Sequence, residues 1–132
     1  MSGVEGWTQR PSTILVVDDN RDSGWTIQAG LILAGYDVEF VESAEAALEF
    51  LDAGAHVDIV VAYIRMPDVD GFALVRIVRH RYPGVGVLLV SGHPWSADDV
   101  IPAGVTILRK PVPFGVLSDA IRVIRNSNPV RG

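Results

Sequence analysis

The sequence predicts an α/β fold: one parallel sheet of five strands with helices on both faces. Three observations lead there. Short apolar runs rich in Val and Ile recur along the chain, as expected of strands buried on both faces. Between them lie segments with apolar residues three and four apart, the spacing of amphipathic helices. Gly, Pro, Asn and Asp mark the junctions, where turns need them.

Each element follows in order. Ile14-Leu15-Val16-Val17 is the first strand. Residues 22–34 read as a helix with Ile27, Leu31 and Ala34 on one face, stopped by Gly35, a common helix-ending residue. Asp37 to Val41 is the second strand. Ser43 caps a second helix, which places Ala44, Ala47, Leu48 and Leu51 at core spacing and ends at Asp52-Ala53-Gly54. Asp58 to Ile64 is the third strand, followed by a turn-rich loop through Met66-Pro67 and Asp70-Gly71. A helix from about Phe72 to Arg81 closes at Pro83-Gly84. Gly86 to Val90 and Thr106 to Leu108 are the fourth and fifth strands. Phe114 to Arg125 is the last helix, with Phe114, Leu117, Ile121 and Ile124 on one stripe. Residues 1–11 and 126–132 read as loose tails around one domain, 12–125.

Composition narrows the function. At 132 residues and 48% hydrophobic, the chain is long and apolar enough for a substantial core. It has no cysteine, hence no disulfide framework or thiolate metal site. The first eleven residues lack the pattern of a signal peptide. No apolar run approaches the ~18 residues of a membrane span. The expected compartment is the cytoplasm. A net charge of -5 disfavours nucleic-acid binding. Arg76, Arg79, His80 and Arg81 form a small basic cluster, read as the solvated C-terminal turn of a helix. His56, His80 and His93 show no metal spacing.

Parallel sheets place their sites beyond the carboxyl ends of the strands. Asp18, Asp19, Tyr63, Ser91 and Lys110 all fall there. Two adjacent carboxylates repel and call for a cation. Mg²⁺, which prefers oxygen ligands, suits them. Lys110 brings a fixed positive charge and Ser91 a hydroxyl, while Met66 can offer a backbone carbonyl to a metal. Such a set positions and neutralises a phosphoryl group.

Three separated pieces, Val16-Val17-Asp18-Asp19-Asn20, Ile64-Arg65-Met66-Pro67 with Asp70-Gly71, and Leu108-Arg109-Lys110-Pro111, resemble the receiver domain of two-component response regulators. The resemblance covers residues 12–125. It implies a flavodoxin-like, doubly wound (βα)5 fold and a phosphorelay signalling role rather than an enzyme. It also implies a phosphate-accepting Asp three residues before Met66-Pro67, where this chain has Tyr63. The 44 residues from Asp19 to Tyr63 are the usual receiver spacing, which argues against misalignment.

A phenol has a pKa near 10 and stays neutral at pH 7, so acyl-phosphate chemistry is impossible at Tyr63. Mg²⁺ held by Asp18, Asp19 and the Met66 carbonyl is then weak or absent. Tyr63 is expected to fill the pocket, its hydroxyl bonding Lys110 or an Asp. Among other carboxylates, Asp58, Asp68 and Asp70 read as surface turn residues, with Asp68 the substitute acceptor to weigh.

Receivers of this kind also switch through the Ser91 position and an aromatic residue three before Lys110. That residue is Ile107 here. Pro94 and Pro102 bracket Ser96 to Ile101, so the helix between the fourth and fifth strands is expected to be short. Trp95 in that segment, Ile107 and Phe114 are the expected partner surface. Lys110-Pro111 is expected to be cis, as the family's bond there commonly is.

The leading reading is a degenerate receiver that binds a protein: a histidine kinase, another receiver, an output protein or a second copy of itself. The second is a Mg²⁺-dependent phosphoacceptor using another Asp, such as Asp68. A nucleotide- or flavin-binding domain is disfavoured, because Asp18 to Asp22 is acidic and lacks phosphate-cradling glycines.

Overall fold

The computed structural model describes residues 12–64, 70–92, 104–110 and 112–127. Its elements are β1 (Thr13–Val17), α1 (Arg21–Leu33), β2 (Asp37–Val41), α2 (Ala44–Asp52), β3 (Ile59–Tyr63), α3 (Gly71–Arg81), β4 (Gly86–Ser91), β5 (Thr106–Arg109) and α4 (Phe114–Ser127). The short helix expected between β4 and β5 falls in residues 93–103, outside the described residues.

All strands are parallel, in the order β2-β1-β3-β4-β5. This order is that of the flavodoxin-like, doubly wound fold that the resemblance implies. After β2 the chain crosses β1 to lay down β3, so the topological switch lies between β1 and β3. Asp18 follows the last residue of β1, and Tyr63 is the last residue of β3.

The central strands β1, β3 and β4 are almost wholly buried. Their side chains alternate between two cores. Leu15, Val17, Val60, Ala62 and Leu89 pack against α2 and α3. Ile14, Val16, Val61, Leu88 and Val90 pack with Leu31 of α1 and with Leu117 and Ile121 of α4. Each fully buried aliphatic side chain contributes roughly 1.5–3 kcal/mol.

The helix ends differ slightly from expectation. Asn20 caps α1, its side chain accepting from the N–H groups of Asp22 and Ser23. Ala34, expected on the core stripe, is instead the exposed C-cap. Ser43 caps α2 as predicted, accepting from Ala46 N–H at 3.0 Å. Asp70 caps α3, so that helix opens one residue early, at Gly71. The last helix runs to Ser127, two residues past its predicted end and into the expected tail.

Asp58 overturns the surface-turn reading. It is 2% exposed and precedes β3. Its carboxylate accepts the Thr13 N–H at 2.8 Å and lies 3.1 Å from His56 Nε2. It ties β1 to the loop at the sheet's amino end, far from the strand-end site.

Two glycines set distances that matter for the site. A Cβ on Gly71 would lie 2.7 Å from Tyr63 O and 2.8 Å from Ile64 Cα. Only glycine lets α3 start this close to the end of β3. A Cβ on Gly24 would lie 2.1 Å from the Phe40 ring, so glycine also lets α1 approach β2 closely.

Candidate functional site

Asp18 sits where β1 ends and the turn into α1 begins. Its N–H donates to Val41 O at 3.1 Å, fixing it beside β2. The carboxylate is 1% exposed. Oδ1 accepts the Asn20 N–H at 2.9 Å, while Oδ2 is buried with no hydrogen-bond partner among the described residues. Burial raises the Asp18 pKa above the usual carboxylate range. The Asn20 N–H and the Lys110 charge oppose that rise, and Asp19 adds to it. Asp19 itself is exposed.

Tyr63 ends β3 opposite Val90. It is 8% exposed, and its side chain belongs to the core facing α1 and α4. Strand alternation sends it there, on the same face as Ile59 and Val61. Burial raises its phenol pKa, the Asp18 charge raises it further, and a hydrogen bond with the Ser23 side chain works the other way. The phenol is neutral at any physiological pH.

Lys110 follows β5, its N–H donating to Ser91 O at 2.8 Å. Its Nζ lies 4.2 Å from the centroid of the Tyr63 ring, in cation–π geometry. The same ammonium donates to Ser23 Oγ at 3.3 Å. This corrects the expected contact: the phenol's partner is Ser23, and Lys110 meets the face of the ring.

Ser91 ends β4 and is 4% exposed. Ile107 is half-buried on the side of α2 and α3. Phe114 opens α4 and lies over Gly30 of α1, where a Cβ would come within 2.8 Å of the ring. Met66, Asp68, Trp95 and the Lys110-Pro111 bond lie outside the described residues.

The sequence reading missed Ser23 and Thr26. With the cap at Asn20, both fall in the first turns of α1 beside the strand ends. Together with Tyr63 and Lys110 they border a cavity of about 260 Å³ between α1 and α4.

The fold agrees with what related proteins show. Residues 14–122 match the family model of the response regulator receiver domain. The chain belongs to that family. It is 34% identical over 102 residues to the C4-dicarboxylate transport transcriptional regulatory protein DctD of Rhizobium meliloti, covering 75% of this chain and 22% of that protein. It is 33% identical over 110 residues to the sensor kinase CckA of Brucella abortus, covering 80% of this chain and 11% of that one. The chain thus spans less than a quarter of the length of each of these two relatives. Among solved structures, a response regulator receiver protein from Sinorhizobium medicae superposes with a TM-score of 0.81 at 31% identity, covering 90% of this chain and 98% of that one. A CheY-like receiver from Methanospirillum hungatei shares the fold, with a TM-score of 0.85 at 24% identity over 93% of this chain and all of that one.

The receiver is therefore a signalling domain of two-component systems, from a family that is generally non-enzymatic. Receivers typically bind Mg²⁺ at their acidic site. The buried, unpartnered Oδ2 of Asp18 beside Asp19 fits such a cation in part. No cluster of three acidic or imidazole ligands occurs among the described residues. Nor does any helix among them have the length and apolarity to cross a membrane.

Proposed function

We propose that this receiver is degenerate: it accepts no phosphate at position 63 and acts by binding another protein. The observation that carries this reading is the Tyr63 side chain. It occupies the end of β3 beside Asp18, where the family resemblance expects the acceptor carboxylate. It is buried, neutral and turned toward α1 and α4. A phenol there can neither form an acyl phosphate nor lend a charge to a metal. With Asp18 and Asp19 as the remaining carboxylates, Mg²⁺ binding is weakened, and Lys110 rests on the ring that replaces its usual partner.

The partner is a protein: a histidine kinase, another receiver or an output domain. One relative is a transcriptional regulatory protein and another a sensor kinase, and receivers in such proteins act through protein contacts. A cytoplasmic setting goes with this reading. With Ile107 at the place of the aromatic reporter, Ser91 has no aromatic rotamer to couple to. The signalling state is then set by what binds.

A second reading retains Mg²⁺-dependent phosphorylation on another Asp, such as Asp68. The unpartnered Oδ2 of Asp18 favours it, since a cation would satisfy that oxygen. The two readings part in one experiment. Amide spectra of the wild type and of Tyr63→Asp are recorded with Mg²⁺ and beryllofluoride, and both proteins are weighed by mass spectrometry after acetyl phosphate. The expected result is an unmoved, unmodified wild type and a responsive variant. Strand-end shifts or a phosphoryl adduct in the wild type would overturn the degenerate reading.

A further inference from the structure

Beneath Tyr63 lies a space that the receiver chemistry does not use. Ser23, Thr26 and Ile27 of α1 form one wall, and Leu117 of α4 stands opposite. Val90 and the Tyr63 ring close the sheet side, and Lys110 stands at the rim. At about 260 Å³ the space falls just below the ~300–1,000 Å³ of pockets for drug-sized ligands. Its size therefore suits a smaller molecule.

The lining says what kind of molecule. Most of the wall is aliphatic or aromatic carbon, which a bare inorganic anion would have to meet without its hydration. The polar groups gather at one point. Lys110 Nζ has two neutral neighbours, Ser23 Oγ at 3.3 Å and the Tyr63 ring at 4.2 Å. No carboxylate lies within 4 Å of it among the described residues. The Thr26 hydroxyl donates to Asp22 O at 2.9 Å, so its lone pairs remain for a donor. An ammonium with no carboxylate in salt-bridge contact among the described residues stands at the mouth of an apolar space.

We propose that this cavity binds a small organic carboxylate with an apolar aliphatic or aromatic body. The carboxylate meets Lys110 Nζ and the Ser23 hydroxyl, and the body fills the space between Ile27, Val90 and Leu117. Asp18 acts electrostatically on both Lys110 and Tyr63, so the ligand's charge belongs on the Ser23 side of the ammonium. Occupancy would bridge α1 and α4 and hold Tyr63 in place, giving the domain a ligand-dependent state in place of a phosphorylation-dependent one. The inference rests on the degenerate reading, since a phosphoryl group at the strand ends would draw Lys110 away.

Methyl-resolved NMR of the full chain tests it, with benzoate and hexanoate as probes and benzamide as the neutral control. The expected result is saturable shifts of the Ile27, Val90 and Leu117 methyls with at least one acid. Benzamide should bind about tenfold more weakly, a difference of ~1.4 kcal/mol. Lys110→Met should abolish that preference while the fold persists, because the side chain is exposed. Absence of saturable shifts with both acids at tens of millimolar overturns the proposal. So does an acid preference that survives Lys110→Met. A parallel beryllofluoride titration without carboxylate reads the acceptor site separately: a response there sinks the degenerate reading, while silence there with silent methyls sinks only the ligand.

Discussion

The two faces of the sheet are built differently. On the side of α2 and α3 the described core is closely packed: Ala44, Ala47 and Leu51 meet Phe72, Leu74, Val75 and Val78, all buried. Polar contacts from Asp52 to Arg81 and to the Tyr82 hydroxyl clasp the two helices from outside. On the side of α1 and α4 the core holds a cavity beside Tyr63. The large exposed apolar residues of the described chain, Trp25, Ile32, Leu33, Phe114, Val116 and Val123, all lie on those two helices. Closure on one face and openness on the other divide the labour. On the reading proposed above, the first face sustains the fold and the second is where partners or ligands exchange.

The sharpest way to break that division is to cut the same residue type on each face. Leu74 is 1% exposed and Leu117 3%, so burial alone predicts equal costs. Packing predicts otherwise, because Leu117 already borders empty space and has fewer atoms to lose. Leu74→Ala should cost about 3–5 kcal/mol, toward the upper end for buried leucines, and Leu117→Ala about 1 kcal/mol less. Urea unfolding of both variants checks this. Equal losses would mean that the cavity is filled in solution.

A smaller effect is expected at the acidic corner. Asp18 holds a buried carboxylate oxygen without a partner among the described residues, beside the charge of Asp19. Asp18→Asn keeps the acceptor for the Asn20 N–H and removes the like charge. In metal-free buffer at pH 7 it should raise stability by about 1 kcal/mol, read as a higher urea midpoint. Destabilisation instead would mean that the negative charge is satisfied in solution.

Much of this was legible in the sequence. Runs such as Ile59 to Ala62 announce strands buried on both faces, and the strand-end residues then gather by topology alone. Ser43 announced its helix by residue type. What escaped was direction. Strand parity decides that Tyr63 shares a face with Ile59 and Val61, and so meets Ser23 rather than an Asp. Nothing in the string says which helix waits on that face. Asp58 looked like a surface turn because it is charged and precedes a strand. Its burial depends on partners at Thr13 and His56 that only the sheet's register brings near.

Tyr63 supplies the third test, at high pH. Its phenol pKa is raised by burial, with Asp18 adding, whereas in the unfolded chain it ionises near 10. Between those values the folded state binds the proton more tightly, so stability falls as pH rises above about 10. Tyr63→Phe removes this dependence. The wild type should lose up to about 1 kcal/mol relative to the variant between pH 9 and pH 11, after allowance for solvent screening. Denaturation at both pH values gives the comparison. A constant difference between the two proteins would place the phenol in solvent.

The smallest effect addresses the open face directly. Leu33 is 88% exposed and Trp25 69%, and together with Ala29 and Ile32 they line the outer side of α1. That helix carries no charged residue after Asp22. If the stripe faces water in the isolated domain, Leu33→Lys removes no burial. It also keeps a side chain with good helix propensity. Stability should then change by no more than ~0.5 kcal/mol, as for surface substitutions generally. A loss well beyond that, in a protein shown monomeric by sedimentation, would mean that another part of the chain covers α1. The contrast between a closed face and an open one would then have to be redrawn.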